Sequence, residues 1–203
     1  MGATITEELA AAAARLVVDD GLDYDSAKRK ALRQLGRHAP RGSELPSSEQ
    51  VEEQVREHIA LFHADTQPGE LRALRELALT WMNRLAEFRP HLGGAVWRGT
   101  ATRRSAVLLD LYCDDAKSAE IALINRGVDY DASSHTDARG RTHEVLTLAT
   151  RSAALGDWVT LHLSVRDHDD LRGALKPDSQ GRSWRGDAGA LQRLLDQPEP
   201  TAG

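Results

Sequence analysis

This chain has one cysteine, few aromatic residues and no long apolar run, and each shortage narrows what it can be. Cys113 alone cannot close an internal disulfide, which fits a reducing compartment. Aromatic residues make up 4% of the 203 positions, so Leu, Val, Ile and Ala must supply most of the burial; the hydrophobic fraction of 40% is that of a folded protein. No apolar stretch approaches the ~20 residues that span a bilayer. The opening Met-Gly-Ala-Thr-Ile-Thr-Glu-Glu has neither the basic start nor the apolar centre of a secretory signal. The expected location is therefore cytoplasmic, with no membrane partner. A net charge of −5 gives no global attraction to nucleic acid or anionic lipid. No Gly-x-Gly-x-x-Gly fingerprint occurs, and Gly94 to Gly99 fails as a P-loop because Thr100 holds the lysine position.

What is present begins with helices. Leu9, Ala13, Leu16 and Val17 recur at helical spacing, with Thr4 and Glu7 as a capping box and Gly21 as the stop. A second helix from about Asp25 places Ala27, Ala31, Leu32 and Leu35 on one side and ends at Gly36. The stretch from His38 to Pro46 reads as a connection. A third helix starts at Ser47, paired with Gln50, and carries Val51, Val55, Ile59 and Phe62 on its inner face. Charge is uneven here: Lys28, Arg29, Lys30, Arg33, Arg37 and Arg41 form a basic run without an acid, and Glu44 to Glu57 is acidic.

The expected domain boundary lies around Asp65-Thr-Gln-Pro68-Gly69, where Pro and Gly interrupt both helical periods. A fourth helix follows with Leu71, Leu74, Leu77, Trp81, Leu85 and Phe88 as its stripe, ended by Pro90. The period then changes. Ala95–Arg98 and Ala106–Cys113 read as strands, the second apolar on both faces as a central strand is. Asp114 to Arg126 reads as a helix stopped by Gly127, with further strands at Val128–His135, His143–Thr150 and Trp158–Val165. The first two of these form a hairpin turned at Ala138-Arg-Gly140-Arg141. Asp169–Ala174 gives a helical turn, Lys176–Gly186 is irregular, and Asp187–Asp196 returns to helix. The expected fold class is α+β, with helices first and then βαβ followed by extra strands in a mixed sheet.

The order of helix, strand, Gly99-Thr100 turn and the strand Ser105-Ala-Val-Leu-Leu-Asp110-Leu-Tyr-Cys113 resembles the opening of the nucleotidyltransferase fold shared with DNA polymerase β. The resemblance covers roughly Gly69 to Val165. The run Tyr24 to Gly36 also resembles that of bacterial proteins pairing such helices with a nucleotidyltransferase-like domain. Together these imply a helical extension over 1–64, a nucleotidyltransferase-like domain over 69–196 with its mixed sheet backed by the helices ending at Phe88 and Arg126, and a frayed tail over 197–203. The resemblance also implies that the Gly-Thr turn cradles nucleotide phosphates and that the next strand carries two metal-binding carboxylates one residue apart.

Here the pair is incomplete. With Asp110 as the first acid, Tyr112 stands where the second belongs; in the other register, Ala106 and Leu108 replace both. Mg²⁺ takes oxygen ligands only, so these are poor substitutes. Asp110 is the metal ligand, and Mg²⁺ the cofactor, only if the chain is an active transferase; otherwise no cofactor is expected. The expectation is a degenerate, phosphate-binding member of the fold, with Gly99, Thr100, Arg103 and Arg104 as the phosphate-binding residues and Arg98 nearby. Candidate partners are a nucleotide or RNA, or a protein partner or homodimer through the helical extension. Other constellations are weaker. Histidines 135, 143, 162 and 168 match no zinc spacing, and Cys113 at a strand end reads as a small core residue. Arg182-Ser-Trp184-Arg185 offers a stacking segment, with a solvated loop as the plainer reading.

Overall fold

The computed structural model describes residues 4–36, 45–136, 140–178 and 180–197. Arg37 and Arg41 of the basic run, Glu44, most of the 38–46 connection, Ala138 and Arg139 of the hairpin turn, and the tail after Gln197 lie outside the described residues. The chain divides into two compact units, Met1–Pro68 with Thr100–Ser105, and Gly69–Gly99 with Ala106–Gly203.

In the first unit, local capping sets the helix ends. α1 (Ile5–Asp20) opens with the Thr4–Glu7 capping box, the Thr4 N–H donating to the Glu7 carboxylate at 2.7 Å, and closes on Gly21 in the left-handed region at φ 70°. α2 (Tyr24–Gln34) is capped by Asp23, and α3 (Ser48–Phe62) by the Ser47–Gln50 box. Leu9, Ala13, Ala14, Val17, Ala27, Ala31, Val51 and Val55 form the core of this unit. Phe62 departs from expectation. Exposure along the α3 stripe rises from 0% at Val55 through 8% at Ile59 to 69% at Phe62, so the covering surface ends within the last turn. Gly21 has a second reason to be glycine: a Cβ there would lie 2.2 Å from the Arg104 carbonyl oxygen.

The second unit contains a six-stranded mixed sheet ordered β3-β4-β5-β2-β1-β6. The strands are β1 (His91–Gly93), β2 (Val107–Tyr112), β3 (Asp131–Thr136), β4 (Thr142–Ser152), β5 (Asp157–Arg166) and β6 (Arg185–Gly186). The fold is α+β, as its pattern predicts. β2 pairs with β5 in parallel, and every other pairing is antiparallel. This corrects the simple βαβ order: the strand after the helix that follows β2 goes to the sheet edge, and β2 finds its parallel partner two strands later.

Ala95–Arg98 is also corrected, from strand to helix. α5 (Gly94–Arg98) follows β1 directly, turned by Gly94 at φ 63° and closed by Gly99 at φ 82°. A short apolar run between glycines fits either state, and tertiary burial of Val96 decides it. α4 (Gln67–Arg84) continues into a 3-10 turn over Ala86–Phe88 and buries Leu74, Trp81, Leu85 and Phe88. α6 (Ala116–Asn125) is capped by Asp115, and its Arg126 reaches the Arg84 carbonyl at 3.0 Å. A 3-10 turn (His168–Asp170) leads into α7 (Leu171–Ala174), and α8 (Ala188–Asp196) buries Leu191 and Leu195.

Alternation gives the sheet two unlike faces. Val107, Leu109 and Leu111 pair with Leu161, Leu163 and Val165, and all six are buried. The other face carries Leu108, Asp110 and Tyr112 opposite His162, Ser164 and Arg166. Among the described residues no helix is long and apolar enough to cross a membrane.

Candidate functional site

The polar face of β2 is where the resemblance places chemistry. Register sets its neighbours: Asp110 lies opposite His91 on β1 and Ser164 on β5, and Leu108 lies opposite Gly93 and His162. Arg166 ends β5 on this face, and Arg185 comes from β6 opposite Gly93. Both arginines converge on Asp110. Arg166 Nε donates to Asp110 Oδ1 at 3.3 Å, and Arg185 Nε lies 2.8 Å from Oδ2. The Arg185 N–H is not aimed along that short distance, so the contact is an ion pair rather than a hydrogen bond.

Around this cluster the polar groups are engaged with one another. Arg166 Nη1 also donates to His143 Nδ1 at 3.4 Å, and the His162 ring bonds the Thr147 hydroxyl at 2.9 Å. The His91 ring stands edge-on to Tyr112 at 5.4 Å. Burial, reinforced by the Asp110 carboxylate, pushes the Tyr112 hydroxyl up to about 12, so it stays a neutral phenol. Leu108 packs over the turn between β1 and α5, where a Cβ on Gly94 would come within 2.7 Å of its Cδ1. A divalent cation needs several oxygen ligands. At this point β2 presents one carboxylate facing two guanidinium groups, beside a leucine.

The expected phosphate-binding residues divide between the units. Gly99 is the left-handed cap of α5, and the Arg75 guanidinium donates to the carbonyls of Val96 and Trp97 in the same turn. Thr100, Arg103 and Arg104 belong to the segment held on the helical unit. There Thr100 is 1% exposed and its hydroxyl lies 3.3 Å from the Tyr24 hydroxyl. Gln67 Nε2 donates to the Ala101 carbonyl at 2.9 Å, and the Thr102 hydroxyl donates to the Val18 carbonyl at 3.2 Å. Arg103 and Arg104 stand exposed on this anchored segment.

Arg98 is a fold residue rather than a free cation. Buried, it donates from Nη2 to Asp178 Oδ2 at 3.0 Å, and its guanidinium lies 4.1 Å from the Trp184 ring centre. The Arg182-Ser-Trp184-Arg185 segment is thereby committed: Arg182 to Asp178, Trp184 to Arg98, Arg185 to Asp110. Cys113 is half-buried, and burial together with Asp115 and Asp114 raises its thiol pKa, the opposite of what a nucleophile needs.

Histidines 135, 143, 162 and 168 do not gather. His135 faces His143 across the β3–β4 pair at 5.5 Å, whereas His168 accepts from Arg89. Sequence reasoning missed Arg166 and Arg185 as the partners of Asp110; the only available signal was that His162, Ser164 and Arg166 alternate along one strand.

No protein-family model matches the chain, and no curated protein matches it. Solved structures similar to it include the Cid1 poly(U) polymerase with MgGTP bound, at 12% identity and a TM-score of 0.37, covering 57% of this chain and 38% of that one. Cid1 in complex with the UTP analogue UMPNPP is similar at 15% identity and a TM-score of 0.35, covering 57% and 36%. The chain thus spans little more than a third of the length of those proteins. Likeness of this extent assigns no activity.

Proposed function

We propose that this protein is a catalytically silent member of the nucleotidyltransferase-like fold that binds a phosphate-bearing ligand, a nucleotide or RNA, without a metal. The observation that carries this reading is the occupation of Asp110 by Arg166 and Arg185, with Tyr112 standing where the second carboxylate belongs. Losing one preorganised charge-stabilising group costs about 10²- to 10³-fold in rate, and a carboxylate already paired to two cations is a poor metal ligand. Phosphate binding falls to Gly99, Thr100, Arg103 and Arg104. The Thr100 hydroxyl lies 3.3 Å from that of Tyr24, and the Arg103 and Arg104 side chains are exposed; on this reading the guanidinium groups meet the phosphate oxygens.

The test combines two measurements on the full chain. Labelled-nucleotide transfer with Mg²⁺ or Mn²⁺ should be at background. Binding of nucleotides and RNA should weaken by roughly 0.7 to 0.9 log units per log unit of salt for each phosphate neutralised, and should fall in Arg103→Ala/Arg104→Ala. Robust transfer lost in Asp110→Ala would restore an atypical metal-dependent transferase. Absence of any salt-sensitive binding would remove the phosphate reading. A second reading, a protein partner or homodimer on the helical unit, is favoured by Leu61 and Phe62 at 75% and 69% exposure. It predicts association that depends on protein concentration, changes little with salt, and is lost in Leu61→Ser/Phe62→Ser.

A further inference from the structure

We propose that Asp19, His58 and His63, within the helical unit, form a binding site for one first-row divalent cation, with Zn²⁺ the ion that the donor set fits best. Their ligand atoms all lie within 4.8 Å of one another, the one such grouping of three or more metal-ligating residues among the described residues. Asp19 Oδ1 is 3.9 Å from His58 Nε2 and 4.0 Å from His63 Nε2. In a tetrahedral zinc site with bonds of about 2.0–2.1 Å, neighbouring ligand atoms stand about 3.3 Å apart. Closing the gap takes about 0.6–0.7 Å for the two Asp19 pairs and at most about 1.5 Å for the histidine pair, within the reach of side-chain rotation.

Three features of the fold favour the ion. Asp19 lies in the last turn of α1, which contains no basic residue, so its carboxylate adds to the negative end of the helix dipole. The neighbouring Asp20 is paired with Lys30 at 2.7 Å, while Asp19 faces the two imidazoles. His58 and His63 are five residues apart, a spacing that diverges on a continuous helix. Here His63 is the C-cap of α3, at φ −133° and ψ 14°, and leaving helical geometry lets its ring turn back toward His58. The Phe62 ring, 4.7 Å from that of His58, limits the swing of the imidazole. Two histidines and one carboxylate are the ligand set of open zinc sites, with water completing the tetrahedron. The side chains of His58 and His63 are 17% and 33% exposed and that of Asp19 is 58% exposed, so solvent ions reach them. Arg15, one turn before Asp19, is the cation against which the ion competes. A bound ion would staple the end of α3 to the end of α1.

The experiment is calorimetric titration of Zn²⁺ into the full chain, freed of any affinity tag, with Co²⁺ absorbance as the geometric readout. The expected result is saturable 1:1 binding and the visible d–d bands of tetrahedral Co²⁺. Asp19→Asn, His58→Ala and His63→Ala should each weaken binding by at least about 100-fold, the upper end of what outer-shell changes cost. His135→Ala, in the other histidine pair, should leave it unchanged. Asp19→Asn is exposed and nearly isosteric, so it separates loss of a ligand from loss of the fold, which circular dichroism checks in each variant. Absence of saturable 1:1 binding would overturn the proposal, as would affinities in the three ligand variants within about 3-fold of the unaltered chain.

Discussion

Asp110 and Asp178 each sit between two arginines, and their surroundings make them different groups. The Asp178 side chain is inaccessible to solvent, and its Oδ1 accepts the backbone amides of Gln180 and Arg182 at 2.9 and 2.8 Å. Its Oδ2 takes Arg98 and Arg182 at 3.0 and 3.2 Å. Burial alone would raise its pKa, but these donors outweigh it and hold the carboxyl at about 2. Asp110 is 10% exposed and is held by side chains from β5 and β6. A carboxylate wired to its own backbone fixes a loop, so it cannot be released without unwinding that loop. Asp110, held by side chains alone, instead ties β2 to β5 and β6.

The sharpest way to break this contrast is Arg98→Ala. It takes from buried, charged Asp178 one of its two guanidinium partners and removes the cation over Trp184. Denaturant unfolding should show a loss of about 3–5 kcal/mol. The same clamp can be read by pH. Because the folded pKa of Asp178 is depressed from the usual 3.8 to about 2, its stabilisation is fully present above pH 4 and is lost as pH falls through 2. In Asp178→Asn, midpoints measured across that window should lose this component of the acid slope.

Gly94→Ala comes next, at about 1–3 kcal/mol, because it places a side chain at positive φ and against Leu108. In a Leu108→Ala background only the backbone part of that cost should remain. Asp110→Asn should cost about 1 kcal/mol, since its pairs are partly solvated; a loss equal to that of Arg98→Ala would erase the distinction between the two clusters. Smallest of all, Arg103→Ala/Arg104→Ala should shift stability by no more than about 0.5 kcal/mol, so any fall in ligand binding there reports recognition rather than folding.

What the sequence discloses follows how local the controlling contacts are. The Thr4–Glu7 and Ser47–Gln50 boxes and the Gly21 stop are four-residue or single-residue devices, and each helix end is where they put it. The α+β class follows from the change of period after Phe88. Ala95–Arg98 is ambiguous in sequence because four residues, three of them apolar, hold too few turns to show a period. The strand order was hidden because β2 takes its parallel partner only after an intervening hairpin. Asp110 was visible as the acid of β2, but Arg166 and Arg185 reach it through register, which no local pattern encodes. Asp19, His58 and His63 meet only once α1 packs on α3, and no spacing rule joins a residue at the end of one helix to two at the end of another.

The edges of the sheet have a consequence for the protein in concentrated solution. Strand edges invite pairing with another molecule unless they are short or polar. β3 closes one side with Asp131-Ala-Ser-Ser-His-Thr136, all six residues exposed and none a large apolar side chain, and β6 closes the other with only Arg185 and Gly186. Neither end offers a long, sticky template for a neighbour's backbone, so the native sheet should resist growing into fibrils.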